Sequence, residues 1–246
     1  NFIQNGQEYA YKFLKNVFIP ILPIFIMGFV FKFEHEGLLL MLLEKFKNIF
    51  FVVVLLQLTY ITLWLMIASR GNIRTFGYYV RNLIPAYITG LSTISSAATM
   101  PVNMMAAERN LRNSLFARTI IPATVNIHTV GSAISFTILS LATMWAFSIP
   151  LPDLHHFMLF AIPYALAKYS VAGVPGGVVV VALPLLVKYL GFTPEMAGII
   201  AGMYLLFDPF GTATNVTGNG IFAILFYDKF GKHYQDQKHK PVKLTN

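Results

Sequence analysis

The sequence predicts an all-α polytopic membrane protein, an inverted-repeat transporter with two re-entrant helical hairpins and two broken spans. Three observations carry that prediction. Of 246 residues, 56% are hydrophobic and only 11% charged, where a soluble domain carries about 25% charge. Apolar stretches reach the ~20 residues a spanning helix needs at Ile49 to Ala68, Ile120 to Ile149 and Ile199 to Tyr227, and nearly so around Val17 to Phe31. Between them lie two segments interrupted by Gly and Pro, the kind of interruption that marks a midplane site in secondary transporters.

The first span covers Tyr11 to Phe31 and contains Pro20 and Pro23; a charged external loop, Lys32 to Lys47, follows. The second span covers Asn48 to Ser69. Segment 74–110 then holds Pro85, Gly90, a Ser/Thr run and Pro101, with Arg70, Arg74 and Arg81 near its start and Arg109, Arg112 and Arg118 near its end. Basic flanks mark the cytoplasmic side, so this segment enters and leaves from the cytoplasm. Non-helical backbone at membrane depth is tolerated where protein buries it or it lines a cavity. The next span, 113–147, is expected to break at Pro122 and around Val130-Gly131. Loop Ser148 to His156 has no Lys or Arg and is expected outside. Segment 153–188 carries Gly173-Val174-Pro175-Gly176-Gly177 at its middle. At about 1.5 Å per residue, neither half crosses a ~30 Å core, so it reads as a second hairpin, entering from outside. The last span, 194–228, is expected to break from Asp208 to Gly220, and a basic tail, 231–246, to lie in the cytoplasm.

The net charge of +8 sits in short loops and that tail, which argues for membrane topology rather than nucleic acid. With no cysteine, disulfides and thiolate metal sites are excluded. The chain begins at Asn1 without a secretory leader, which suggests that it starts mid-protein or is trimmed.

Asp208 carries the chemistry. A carboxylate at membrane depth costs about 2.5–3.5 kcal/mol, so it should face a cavity and meet a cation such as a substrate ammonium; the alternative is a structural partner for Lys168. Thr212, Thr214, Asn215, Thr217 and Asn219 follow it among glycines, as unwound backbone offering polar groups would. Ser95 and Ser96 sit at the first hairpin tip, where free N–H groups suit a carboxylate. Asn126 and His128 fall in the break of the third span, and His128 reads either as a core histidine or as a proton site. Lys168 either snorkels to the interface or acts as an internal cation. His155 and His156 beside Asp153 make a poor metal site, and no metal is expected.

Ser95-Ser96-Ala97-Ala98-Thr99-Met100-Pro101, Ala123-Thr124-Val125-Asn126, Ala172-Gly173-Val174-Pro175-Gly176-Gly177 and Asp208 through Asn215-Val216-Thr217-Gly218 occur in that order. Together they resemble the dicarboxylate/amino acid:cation symporter family, the glutamate-transporter type, from its fifth span to its C-terminus. The resemblance implies an elevator transporter and a homotrimer in the lipid bilayer, multi-pass in a bacterial inner membrane. Residues 1–47 would be scaffold-type, and 48–230 the transport domain. By motif, Asp208 would bind a substrate amino group, with Thr212 and Asn215 as further contacts and Ser95 and Ser96 holding the substrate carboxylate. Val174, Pro175 and Gly176 would form the external gate. Asn126 corresponds to a sodium-site residue.

Departures from the pattern shape the functional expectation. Ile94 and Gly211 stand where acidic-substrate members carry an arginine, which is not easily replaced. Asn219 and His128 stand where sodium-binding aspartates are expected, and Lys168 where hairpin carbonyls serve another sodium. The expectation is therefore a carrier of a small amino acid or dicarboxylate, coupled to a proton or cation with weak or absent sodium dependence, or an exchanger. Ion or proton coupling would involve Asn126, His128, Lys168 and Asn219, without a cofactor. The alternatives are a degenerate, non-transporting member and, more distantly, an intramembrane serine hydrolase using Ser95 and His128, which lacks a carboxylate to orient the histidine.

Overall fold

The computed structural model describes residues 24, 27, 28, 31, 34, 35, 37–171, 173 and 175–238. The first predicted span, Val174 and the end of the basic tail therefore lie mostly or wholly outside the described residues. Among these residues the regular structure is entirely helical: α1 (Leu38–Ala68), α2 (Ile73–Thr93), α3 (Ser96–Leu111), α4 (Ser114–Thr124), α5 (Val130–Ala146), α6 (Leu154–Lys168), α7 (Gly177–Leu190) and α8 (Pro194–Lys238).

Side-chain caps fix where several helices begin. Asn72 Oδ1 accepts from the N–H groups of Arg74 and Thr75 at the start of α2. Ser95 Oγ accepts from Ala98 N–H ahead of α3, Asn113 Oδ1 from Phe116 N–H ahead of α4, and Asp153 Oδ1 from His156 N–H ahead of α6. Each satisfies a donor that the first helical turn leaves free. Thr193 followed by Pro194 starts α8, the proline falling where its missing N–H costs no hydrogen bond.

α8 is the axis of the molecule, with α1 to α5 and α7 packed against it. Near its start, Met196, Ile199, Ile200 and Met203 share a core cluster with Leu186 and Leu190 of α7 and with Phe136 and Leu139 of α5. Near its other end, Ala223 and Ile224 cluster with Ala107 and Leu111 of α3 and with Phe116, Ala117 and Ile121 of α4. The hairpin α2–α3 and the hairpin α6–α7 thus lie along α8 from opposite ends. Their tips meet at its middle, where Ser95 Oγ donates to Gly173 O at 2.8 Å.

Three expectations need correction. The last span does not break: α8 runs unbroken from Pro194 to Lys238, through Pro209 and the glycines beyond it. Those glycines provide room rather than unwinding. A Cβ on Gly220 would run into Leu83 and reach Asn103 Oδ1 at 3.0 Å, and one on Gly218 would run into the His128 ring, while one on Gly211 would only touch Ser132 N at 3.4 Å. Pro122 does not interrupt the third span either; it lies inside α4, and the interruption is Val125 to Thr129. Proline removes one ladder bond, which a packed neighbourhood tolerates. Finally, the loop expected up to Lys47 is helical from Leu38 onward, because its leucine-rich run favours helix once Gly37, at φ 67°, has turned the chain.

Two of these helices are long and apolar enough to cross a membrane, Phe46–Ala68 and Pro194–Gly231. In the first, Phe51, Leu55, Leu63 and Ile67 are exposed, an outward apolar face suited to lipid or to further protein.

Candidate functional site

Where the hairpin tips meet α8 and the break between α4 and α5, a small cavity of about 30 Å³ remains. That is enough for ordered water and less than an amino acid needs. Asp208, Thr212 and Asn215 of α8 line it, with Ser96 from the first tip, Asn126 and Thr129 from the break, and Lys168 from the end of α6.

Asp208 is 5% exposed. Its Oδ2 accepts the N–H of Gly176, in the second tip, at 2.8 Å. The chain can offer that amide because Gly176 sits at φ 68°, a conformation costly for most residues. Gly173, at φ +65°, lies so close to the first tip that a Cβ there would stand 3.1 Å from Ala97 N. Ser95 serves twice, capping α3 and donating to Gly173 O.

Asn215 and Ser132 form a reciprocal pair. Asn215 Nδ2 donates to Ser132 Oγ at 2.6 Å, and Ser132 N–H donates back to Asn215 Oδ1 at 3.2 Å. The pair fixes α8 against the first turn of α5. Gln57 of α1 anchors the same turn, donating from Nε2 to Gly131 O at 3.1 Å and to Ser135 Oγ at 2.7 Å.

Lys168 does not snorkel. It is 3% exposed, and its Nζ donates to the main-chain carbonyl of Thr129 at 2.5 Å. Its ammonium also stands 5.5 Å from the centre of the Tyr164 ring. Lys168 and Asp208 face the same cavity, close enough for their charges to attract but without a direct ion pair.

The other candidates separate. Asn126 lines the cavity, and its buried Oδ1 has no hydrogen-bond partner. His128 is turned away from the cavity lining; its Nε2 is 3.2 Å from Tyr60 Oη of α1, and its ring packs on Gly218. Asn219 is also outside the cavity. Thr124 Oγ1 donates to its Oδ1 at 2.5 Å, while its Nδ2 donates to Ile121 O at 3.2 Å, so both ends of the amide brace α4. Pro175 and Gly176 lie in the second tip as expected. At the loop before α6, His156 Nδ1 is 2.9 Å from Asp153 Oδ1. Among the described residues no three His, Asp or Glu side chains gather as a metal site.

Sequence reasoning missed Gln57, Thr129 and Ser132. Gln57 had a signal, as a lone amide in an otherwise apolar span. Thr129 contributes through its carbonyl, which no residue type announces.

A buried carboxylate, carboxamides and an ammonium gather around the meeting point of two helical hairpins, in a chain with helices long and apolar enough to cross a membrane. The chain belongs to the sodium:dicarboxylate symporter family, whose model matches residues 1–229. This is a family of transporters and not of enzymes. Curated relatives include a serine/threonine transporter SstT of Acinetobacter baumannii, 27% identical over 157 residues, covering 64% of this chain and 38% of the relative. Another is the serine/threonine transporter SstT of Acinetobacter baylyi, 24% identical over 211 residues, covering 85% of this chain and 52% of the relative. The chain therefore spans about half or less of the length of these relatives.

Proposed function

We propose that this chain forms the substrate-carrying part of an elevator-type secondary transporter for a small neutral amino acid, with sodium coupling weak or absent. The observation that carries the reading is Asp208, a buried carboxylate on a cavity lined by hydroxyls and carboxamides. Such a site suits a substrate ammonium, while Ser96, Thr212 and Asn215 suit its carboxylate. Ile94 lines the cavity and Gly211 lies beside Asp208's neighbours in α8, so the two positions that would pair a second carboxylate offer no charge. The serine/threonine transporters among the relatives support a neutral substrate. Lys168 keeps a dicarboxylate as the competing reading.

The α6–α7 tip is the proposed gate. It reaches Asp208 through Gly176, and the cavity beneath it is too small for an amino acid, so substrate entry requires the tip to move. The opposed approach of the two hairpins along α8 supports re-entrant hairpins entering from opposite faces, with the basic end of α2–α3 and the C-terminus in the cytoplasm. We also propose a homotrimer, assembled through scaffold parts of the full-length protein, with the exposed face of α1 left to lipid or to that scaffold.

Ligand-dependent thermal stability of the full-length protein tests the function. Serine, threonine or alanine is expected to raise Tm in the wild type, and Asp208→Asn to weaken binding at least about tenfold, the cost of ~1.4 kcal/mol. Stabilisation by dicarboxylates alone selects the competing substrate. Unchanged binding in Asp208→Asn overturns the role of the aspartate, and an absence of binding or uptake of any of these compounds favours a degenerate member.

A further inference from the structure

The oxygen atoms around the cavity outnumber the charges that can answer them. Asp208 supplies a carboxylate, Asn126 a buried carboxamide oxygen without a partner, and Thr129 the carbonyl that opens α5, where it accepts the Ala133 N–H at 3.1 Å and has a second lone pair facing the cavity. Such a set of hard oxygen donors attracts a compact cation. In this chain one is already present. The Lys168 ammonium is buried, points into the cavity and takes the Thr129 carbonyl at 2.5 Å. It is tethered at the last residue of α6, where the helix C-terminus favours positive charge. The segment that leaves Lys168 is the tip whose Gly176 caps Asp208. The cation and the lid are thus parts of one short stretch of chain, eight residues from Lys168 to Gly176.

We propose that Lys168 supplies from within the chain the positive charge that this oxygen-lined site would otherwise take from a sodium ion, so that the α6–α7 tip closes over Asp208 without sodium. This inference rests on the transport function proposed above. The fit of a sodium ion is poor for a physical reason: the Thr129 carbonyl it would need is already bonded to an ammonium, and a second cation beside Lys168 would be repelled. Removing the ammonium while leaving the oxygens should restore the vacancy that a sodium ion can fill. A side chain that only packed against Tyr164 would have no such effect.

The test uses the full-length protein in sodium chloride and in choline chloride, with serine and threonine as probes and Tm and binding affinity as readouts. In the wild type the affinity should agree between the two salts to within about twofold, and Tm should not shift. Lys168→Ala should bind at least about tenfold more weakly in choline and recover in sodium, and Lys168→Arg should stay indifferent to the salt. Wild-type affinity that rises about tenfold or more with sodium overturns the proposal, as does equal binding by Lys168→Ala in both salts. If Lys168→Ala does not fold, Lys168→Met, which keeps an unbranched stem and removes the charge, is read by the same comparison. If neither amino acid binds the wild type, the substrate reading fails separately. Tm without ligand then decides the role of Lys168: sodium stabilising Lys168→Ala but not the wild type supports the proposal, and sodium stabilising the wild type overturns it.

Discussion

Asn219 owes its place to having both a donor and an acceptor on one side chain. Its oxygen accepts from Thr124 while its nitrogen donates to Ile121 O. A carboxylate could keep the first contact and not the second. Asn219→Asp is therefore expected to destabilise the protein by about 1–3 kcal/mol, the cost of a buried polar group left unmatched, read as a lower Tm in detergent. Gly131 is constrained by space instead. A Cβ there would collide with Gly211 O and stand 2.6 Å from Thr214 Cβ, and main chain cannot swing aside. Gly131→Ala should cost ~1–3 kcal/mol through overpacking, again visible in Tm. At the surface, the His156 N–H, and then its ring, hold the Asp153 carboxyl below the usual carboxylate range. The folded state thus favours the ionised form, and the contribution is complete above the ordinary carboxylate pKa. It is lost as pH falls through the lower folded value. Amide exchange at the first turn of α6 should accelerate over that acid range in the wild type and show no such step in Asp153→Asn.

At the scale of elements, the two hairpin tips are tied by one side chain. Ser95 caps α3 and bonds to Gly173, so Ser95→Ala removes both interactions. The cap alone is worth about 1 kcal/mol. Faster hydrogen exchange is expected in both tips, around residues 96–99 and 173–177, rather than in the first alone. Because the chain has no cysteine, the same contact can be probed by introduced pairs. Ala97→Cys with Gly173→Cys should cross-link readily if the tips meet in the folded protein.

At the scale of the molecule, much of the helical order was legible in the sequence. The hairpins predicted at 74–110 and 153–188 correspond to α2–α3 and α6–α7, because their punctuation lies in local chemistry: Ser95 as a cap, Gly173 and Gly176 at positive φ. Asp208, Thr212, Asn215, Ser96, Asn126 and Lys168 line one cavity; the sequence offered them as separate candidates, and Lys168 as an interfacial or an internal cation. The break assigned to α8 went astray because glycine has two uses in a helix. Sequence cannot distinguish a residue that lets the backbone unwind from one that lets a neighbour approach, and at 218 and 220 the neighbours decide. The buried position of Lys168 was hidden for a related reason: its partner is a main-chain oxygen, Thr129 O, which also accepts the Ala133 N–H at the start of α5 and which only the folded chain brings to the end of α6.

The glycines of α8 also limit how this protein can move. They meet α5 at one height, the His128 ring at another, and Leu83 with Asn103 at a third. A rod packed this closely against different partners resists spinning about its own axis or sliding by one residue, because residues larger than glycine would then meet the His128 ring or the Leu83 and Asn103 side chains. These contacts oppose relative sliding of the helices, and the transport function proposed above then predicts that they travel together as a block. Spin labels placed on α5 and α8 should keep one separation in every salt and with every ligand, while a label on the α6–α7 tip changes its distance to either.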